Sequence, residues 1–263
     1  MRKFSIIHIP PLSFFSKKLY SDVALNWRGI NFLYLLLLLA VCWTFILIKM
    51  NNSITKFIDN EVPPFVKQVP KITIVNGEVS IDKPQPYYIK TLDGNNILAI
   101  IDTTGTTTSL ENTDAYILLT KNTIIVRQSD VDTRKYSLSQ VKDFTLTSER
   151  LMGWICVFKK VFIIVMYPMM VIGSFVYRLI QALVYGAIGI LFAIKLAYDA
   201  LIRLSVVAVT PCIIINTVLM FADVQLPVRA LIYFLLTMIY LFFGIKAIAE
   251  EITRQQNQSL PTI

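Results

Sequence analysis

A chain of 263 residues that is 55% hydrophobic and 16% charged, with a mean hydropathy of +0.61, is too apolar for an ordinary soluble domain, where about 25% of residues are charged. Its net charge of +8 is uneven: residues 50–153 hold 11 Lys/Arg and 12 Asp/Glu, and the rest hold 14 and 5. The basic excess therefore flanks apolar segments and reads as a membrane-topology signal, not as a nucleic-acid surface.

Residues 1–29 form a basic leader, with Arg2, Lys3, Lys17, Lys18 and Arg28 against one acid, Asp22. The positive-inside rule puts it in the cytoplasm. Its Phe14–Tyr20 stretch suits either an interfacial helix on the inner leaflet or a solvated leader that only sets topology. Residues 30–48 are 19 uncharged residues, enough to cross a hydrocarbon core about 30 Å thick at 1.5 Å per residue. The run is longer than a signal-peptide core and no small-residue cleavage site follows, so it is expected to remain as a signal anchor.

Residues 49–153 are expected to fold outside the cytoplasm as a mainly antiparallel β domain. A helical continuation of the anchor should end at Val62-Pro63-Pro64, since proline cannot continue a helix. Asn76-Gly77 between Lys71–Val75 and Glu78–Ile81 is a strong hairpin signal, because both turn positions need positive φ. Two further pairs are expected, Tyr87–Lys90 with Ile97–Ile101 and Tyr116–Leu119 with Thr123–Val126. A last strand, Phe144–Thr147, follows a short helix-like Leu138–Val141. Asp102-Thr103-Thr104-Gly105 resembles the start of an aspartic-protease loop, but that chemistry needs two carboxylates sharing a proton. The spacing here has one extra residue and no second copy, so an Asx-type turn is the expected role of Asp102.

Residues 154–246 read as a transmembrane bundle, with spans near 175–194, 204–222 and 228–245, and residues 247–263 as a polar tail. The 34-residue apolar block Val161–Ile194 admits two readings. It is either a lead-in followed by one span, which makes four spans in all, or two short spans folded at Arg178, which makes five. Charge bias favours four, with Lys195, Arg203, Lys246 and Arg254 in the cytoplasm and Asp223 outside. On that reading Arg178 lies near the outer boundary, either as an interfacial anchor or as an ionic partner of Asp223. Pro211 frees one backbone carbonyl, which Thr210 or Asn216 could satisfy, and could kink its helix.

Cys42, Cys156, Cys212 and the single histidine, His8, are too scattered for a disulfide framework, a metal centre or a nucleophile–histidine pair. No cofactor and no enzymatic activity are expected. Taken together, Ser13–Tyr20, Asn26–Gly29, Pro70–Val79, Ile100–Gly105, Leu119–Asn122 and Tyr136–Leu138 resemble a bacterial family of uncharacterised integral membrane proteins, some described as maltodextrin-utilisation proteins. Leu204–Pro211 resembles the Yip-type membrane domain, which usually comes with five spans. The resemblance implies the bacterial cytoplasmic (inner) membrane and transfers no functional residue. The expected function is that of a non-enzymatic accessory, scaffold or binding protein in the lipid bilayer. Its outer domain would engage other membrane proteins or an envelope component. The alternative is a transporter subunit or small permease, motivated by Arg178, Pro211 and Asp223.

Overall fold

The computed structural model describes residues 3–29, 32–111, 113–129, 132–192 and 196–259. The first two residues of the expected anchor, Ile30 and Asn31, and the end of the expected second span, with Lys195 beyond it, lie outside the described residues. Two compact units emerge, Asn51–Phe162 and a second made of Met1–Met50 with Ile163–Ile263.

The larger unit is helical. After a 3-10 turn at Ile6–His8 come α1 (Ile9–Leu12), α2 (Lys17–Asn26), α3 (Phe32–Asn60), α5 (Ser148–Ile190), α6 (Tyr198–Phe221) and α7 (Arg229–Ser259). The helices α3 and α5 each run on into the smaller unit. Four helices, α3, α5, α6 and α7, are long and apolar enough to cross a membrane. The alternative reading, a fold at Arg178 giving two short spans, is not what forms. Helix α5 is one helix of 43 residues with Pro168 inside it, roughly 65 Å at 1.5 Å per residue.

Helix α6 is the centre of this unit. Every residue from Ala200 to Ile213 is buried, as expected for a helix that is apolar all round. Gly186 and Gly189 let α5 approach it: a Cβ on Gly186 would stand 3.1 Å from Ile202 Cγ1, and one on Gly189 3.3 Å from Leu201 Cδ2. The leader is only partly open to solvent, with Phe15, Lys17 and Lys18 exposed and much of its second helix packed. Its helix α2, capped by the Ser16 hydroxyl accepting from the Leu19 N–H, buries Leu19 through Ala24. Of these, Leu19, Tyr20, Val23 and Ala24 share one core with α3, α5, α6 and α7. Gly244 makes room on α7 for the buried Tyr20, whose ring would lie 2.5 Å from an added Cβ. The chain beyond 246 continues α7, and Ala247 and Ile248 are buried.

The smaller unit begins with the end of α3 and the short α4 (Val62–Val66), which takes its two prolines in the first turn, where the missing N–H costs nothing. Strands β1 (Ile72–Val75), β2 (Glu78–Ile81) and β8 (Asp143–Leu146) form one antiparallel sheet in the order β2-β1-β8. The two-residue turn carries positive φ at Asn76 and Gly77, 50° and 82°. The other sheet is β3 (Tyr87–Lys90), β4 (Ile97–Ile101), β5 (Ile117–Leu119), β6 (Thr123–Ser129) and β7 (Asp132–Ser137), in that order. Its β4–β5 pairing is parallel, the one departure from antiparallel pairing among the described strands. Strand β7 was not foreseen, because all six of its residues are exposed and it shows no apolar alternation. Leu138–Val141 is not helical.

Alternation along β4 gives this unit two core layers. Ile101 joins Leu119, Ile72, Ile74 and Val79. Ile100 points the other way and packs with Leu118, Ile125, Leu110 and Ala115.

Candidate functional site

Asp102 sits where β4 ends, its N–H donating to the Leu119 carbonyl at 2.8 Å. The residue is fully buried. Its Oδ1 accepts from the Thr104 N–H at 2.9 Å and the Thr104 hydroxyl at 2.6 Å, and its Oδ2 from the Thr107 N–H at 2.6 Å. Burial pushes this carboxyl up, but the bonds from Thr104 and Thr107 outweigh it and hold the group below its ordinary value. Thr103 donates through both its N–H and its hydroxyl to Gln85 Oε1. Both carboxylate oxygens are thus occupied in shaping an Asx-type turn. Among the described residues, no three His, Cys, Asp or Glu side chains gather in a way that could hold a metal ion.

Asp22, treated above only as a lone acid in a basic leader, organises that leader. It is 3% exposed and accepts from the Lys3 and Phe4 N–H groups, Asn26 Nδ2 at 2.8 Å and Trp27 Nε1 at 2.9 Å. Burial raises its pKa, yet these bonds together bring it below the ordinary carboxylate value. Arg203, also buried, reaches the other side of α2. Its Nε and Nη2 donate to the Val23 and Ala24 carbonyls at 3.3 and 3.1 Å, and its Nη1 to Asp199 Oδ2 at 2.6 Å. A guanidinium at the carboxyl end of α2 complements the helix dipole and fills orphan carbonyls. Lys49 repeats the device on α6, donating to the Met220 and Phe221 carbonyls at 3.2 and 2.7 Å. It also pairs with Asp223 at 2.5 Å. Asp223 is therefore the partner of Lys49 and not of Arg178.

Pro211 lies inside α6, which continues unbroken to Phe221. Neither suggested side chain turns to the carbonyl that the proline frees. The Thr210 hydroxyl donates to Val206 O at 3.1 Å and meets the Tyr34 hydroxyl at 3.0 Å, while Asn216 donates to Met220 Sδ. The next residue, Cys212, meets the Thr237 hydroxyl of α7 at 3.1 Å.

Arg178 lies at mid-length of the bundle, not near its boundary. Gly186 abuts Ile202, and eight residues earlier on α5 is about 12 Å along the axis. That puts Arg178 level with Thr210–Cys212 and, through the Cys212–Thr237 contact, with the first turns of α7. Its Nη1 donates to Gln181 Oε1 at 2.6 Å, and Gln181 Nε2 donates to the Tyr185 hydroxyl at 2.6 Å. The guanidinium also stands 5.5 Å from the Tyr177 ring centroid. Cys212 Sγ in turn donates to the Tyr233 carbonyl at 3.7 Å. The Tyr233 hydroxyl is buried and has no hydrogen-bond partner among the described residues. Two apolar grooves flank the bundle. One, of about 460 Å³, lies between the leader, α3 and α6 and includes Ile6, Pro10, Leu38, Phe45, Ile214 and Val218. The other, of about 580 Å³, lies between α5 and α7 and includes Ile188, Phe192, Met238 and Phe242.

Of the residues singled out in the sequence, Arg178 and Pro211 fall at one level of the bundle, and Asp102 lies in the other unit. Asp22 and Arg203, which separately hold α2 in place, were not singled out in the sequence. The one sequence signal was Asp199 one turn before Arg203. Comparison with known proteins finds a family model over residues 11–245, described as a protein of unknown function, DUF1189. No curated protein and no solved structure matches.

Proposed function

The chain belongs to the DUF1189 family, and from that premise and the geometry above we propose that it is a non-enzymatic scaffold of the bacterial cytoplasmic membrane. Four helices, α3, α5, α6 and α7, cross the bilayer, both termini lie in the cytoplasm, and the unit Asn51–Phe162 lies outside and engages a protein or envelope component. The observation that carries this reading is the packing of α6. Its 14 consecutive buried residues give the bundle a filled, close-packed centre, the build of an anchor and not of a lined path. The polar residues of the outer unit support it, since Asp102 serves a turn. The resemblance to members described as maltodextrin-utilisation proteins fits the same setting, whereas four spans depart from the five usual for the Yip-type domain.

The transporter-subunit reading rests on one observation, the polar groups around Arg178 at mid-length, where transporters place their sites. Purification in mild detergent tests the scaffold reading. A partner should be recovered reproducibly and lost when the outer unit is replaced by an unrelated domain. Solute flux into proteoliposomes that depends on Arg178 would favour the transporter instead.

A further inference from the structure

Helix α5 carries an apolar face that its own chain leaves open. Only 6% of its apolar window is buried, against 56% for α6. Down the middle of that face run Trp154, Phe158 and Val161, and eleven residues later Val165, Met169 and Ile172, each 50–69% exposed. A repeat of eleven makes three turns at about 3.67 residues each, close to the 3.6 of a straight helix. The six side chains therefore stand in one line, and none of them is charged.

Lipid tails do not cover the first part of this line. Lys159 Nζ donates to Thr55 Oγ1 at 2.5 Å, which sets Trp154 and Phe158 beside the end of α3 that carries Lys56, Asp59 and Asn60. Thr55 is seven residues past Ile48, where the uncharged run of α3 stops, about 10 Å along the helix. The headgroup layer on each side of a bilayer is only about 5–7 Å deep. An apolar patch held beyond the lipid marks a protein contact. The occupant that fits is a second copy. The bilayer holds all copies in one orientation, so a two-fold axis along its normal sets each α5 against its equal at the same depth, an isologous contact. An uncharged line meets itself without like-charge repulsion, and Lys159 is turned aside to Thr55. The six side chains expose on the order of 700 Å², near the roughly 800 Å² that each partner gives to a standard interface.

We propose that the protein is a parallel homodimer joined along α5, with Trp154, Phe158, Val161, Val165, Met169 and Ile172 on the seam. The proposal rests on the membrane-embedded scaffold reading and names one partner of that scaffold, its own copy. Its test uses the full-length protein, purified and reconstituted in vesicles, with one cysteine at a time. Oxidation should join copies through Phe158→Cys, Val161→Cys, Val165→Cys and Ile172→Cys. It should not join them through the native Cys156, which is exposed but faces about half a turn away from Phe158. Val161→Glu sets two like charges on the seam and should raise the dimer dissociation constant at least about tenfold, whereas Cys156→Glu should leave it unchanged. Equal cross-linking at Cys156 and at the seam overturns the proposal, as does a dissociation constant that Val161→Glu leaves unmoved or that both variants raise alike. A seam cysteine that is captured in native membranes by a different protein instead of a second copy also overturns it. Alkaline carbonate extraction is run in parallel. Release of the protein from the bilayer would sink the scaffold reading itself, whereas a protein retained there as a monomer sinks only the dimer.

Discussion

At the scale of single residues, two buried aspartates decide local order. Asp22 ties the first residues of the chain to α2 and to Trp27, and losing a bond to a charged group costs about 1.5–3 kcal/mol. Asp22→Asn should therefore free the leader, read as a red shift of Trp27 emission in a Trp43→Phe/Trp154→Phe background. The carboxyl is depressed in the folded state, so its contribution is present above the unfolded carboxylate value of about 3.9 and is lost as pH falls through the lower native value. The same Trp27 signal should move only in that acid window and should stay flat from neutral pH to about pH 5. Asp102 has three inward bonds, so Asp102→Ala should expose the Thr104 and Thr107 amides to hydrogen exchange, with a loss of about 1–3 kcal/mol. Asp102→Asn, which keeps one accepting oxygen, should cost less.

At the scale of elements, glycine contacts set which pieces meet. Gly77 holds a φ of +82°, and a Cβ there would stand 2.8 Å from Ser139 Cα and 2.9 Å from Leu138 O. Gly77→Ala should thus destabilise the β1–β2 hairpin by more than the roughly 1–2 kcal/mol of a left-handed non-glycine residue, seen as a lower melting midpoint of the unit Asn51–Phe162. Gly244 faces the Tyr20 ring, which is fixed by its bond to Ser13 O at 2.8 Å and by the edge of Phe243. Gly244→Leu should displace α2 and raise protease cleavage within residues 13–27, while the four long helices stay assembled. The hairpin was legible from Asn76-Gly77 because two adjacent residues dictate its turn. The α2–α7 contact was not, because it joins residues more than two hundred positions apart.

At the scale of the whole molecule, cysteine exposure offers a topology reading without new labels. Cys42 and Cys212 are buried and Cys156 is exposed. A membrane-impermeant maleimide added to intact spheroplasts should modify Cys156 alone, and Cys156→Ser should remove all labelling. Labelling only after lysis would put the unit Asn51–Phe162 on the cytoplasmic side.

The sequence by itself determined the four long apolar helices, the β1–β2, β3–β4 and β5–β6 hairpins, and the Asx turn at Asp102. Hydropathy and turn chemistry are written in neighbouring residues. Tertiary structure alone decided that the leader is core, that Arg203 and Lys49 cap helix ends, and that Asp223 answers Lys49. It also decided that β4 and β5 run parallel and that Arg178 sits at mid-length without an acid. Each of these depends on which distant segment occupies the neighbouring space, and one-dimensional patterns of polarity record a residue's preference for burial without naming its neighbour.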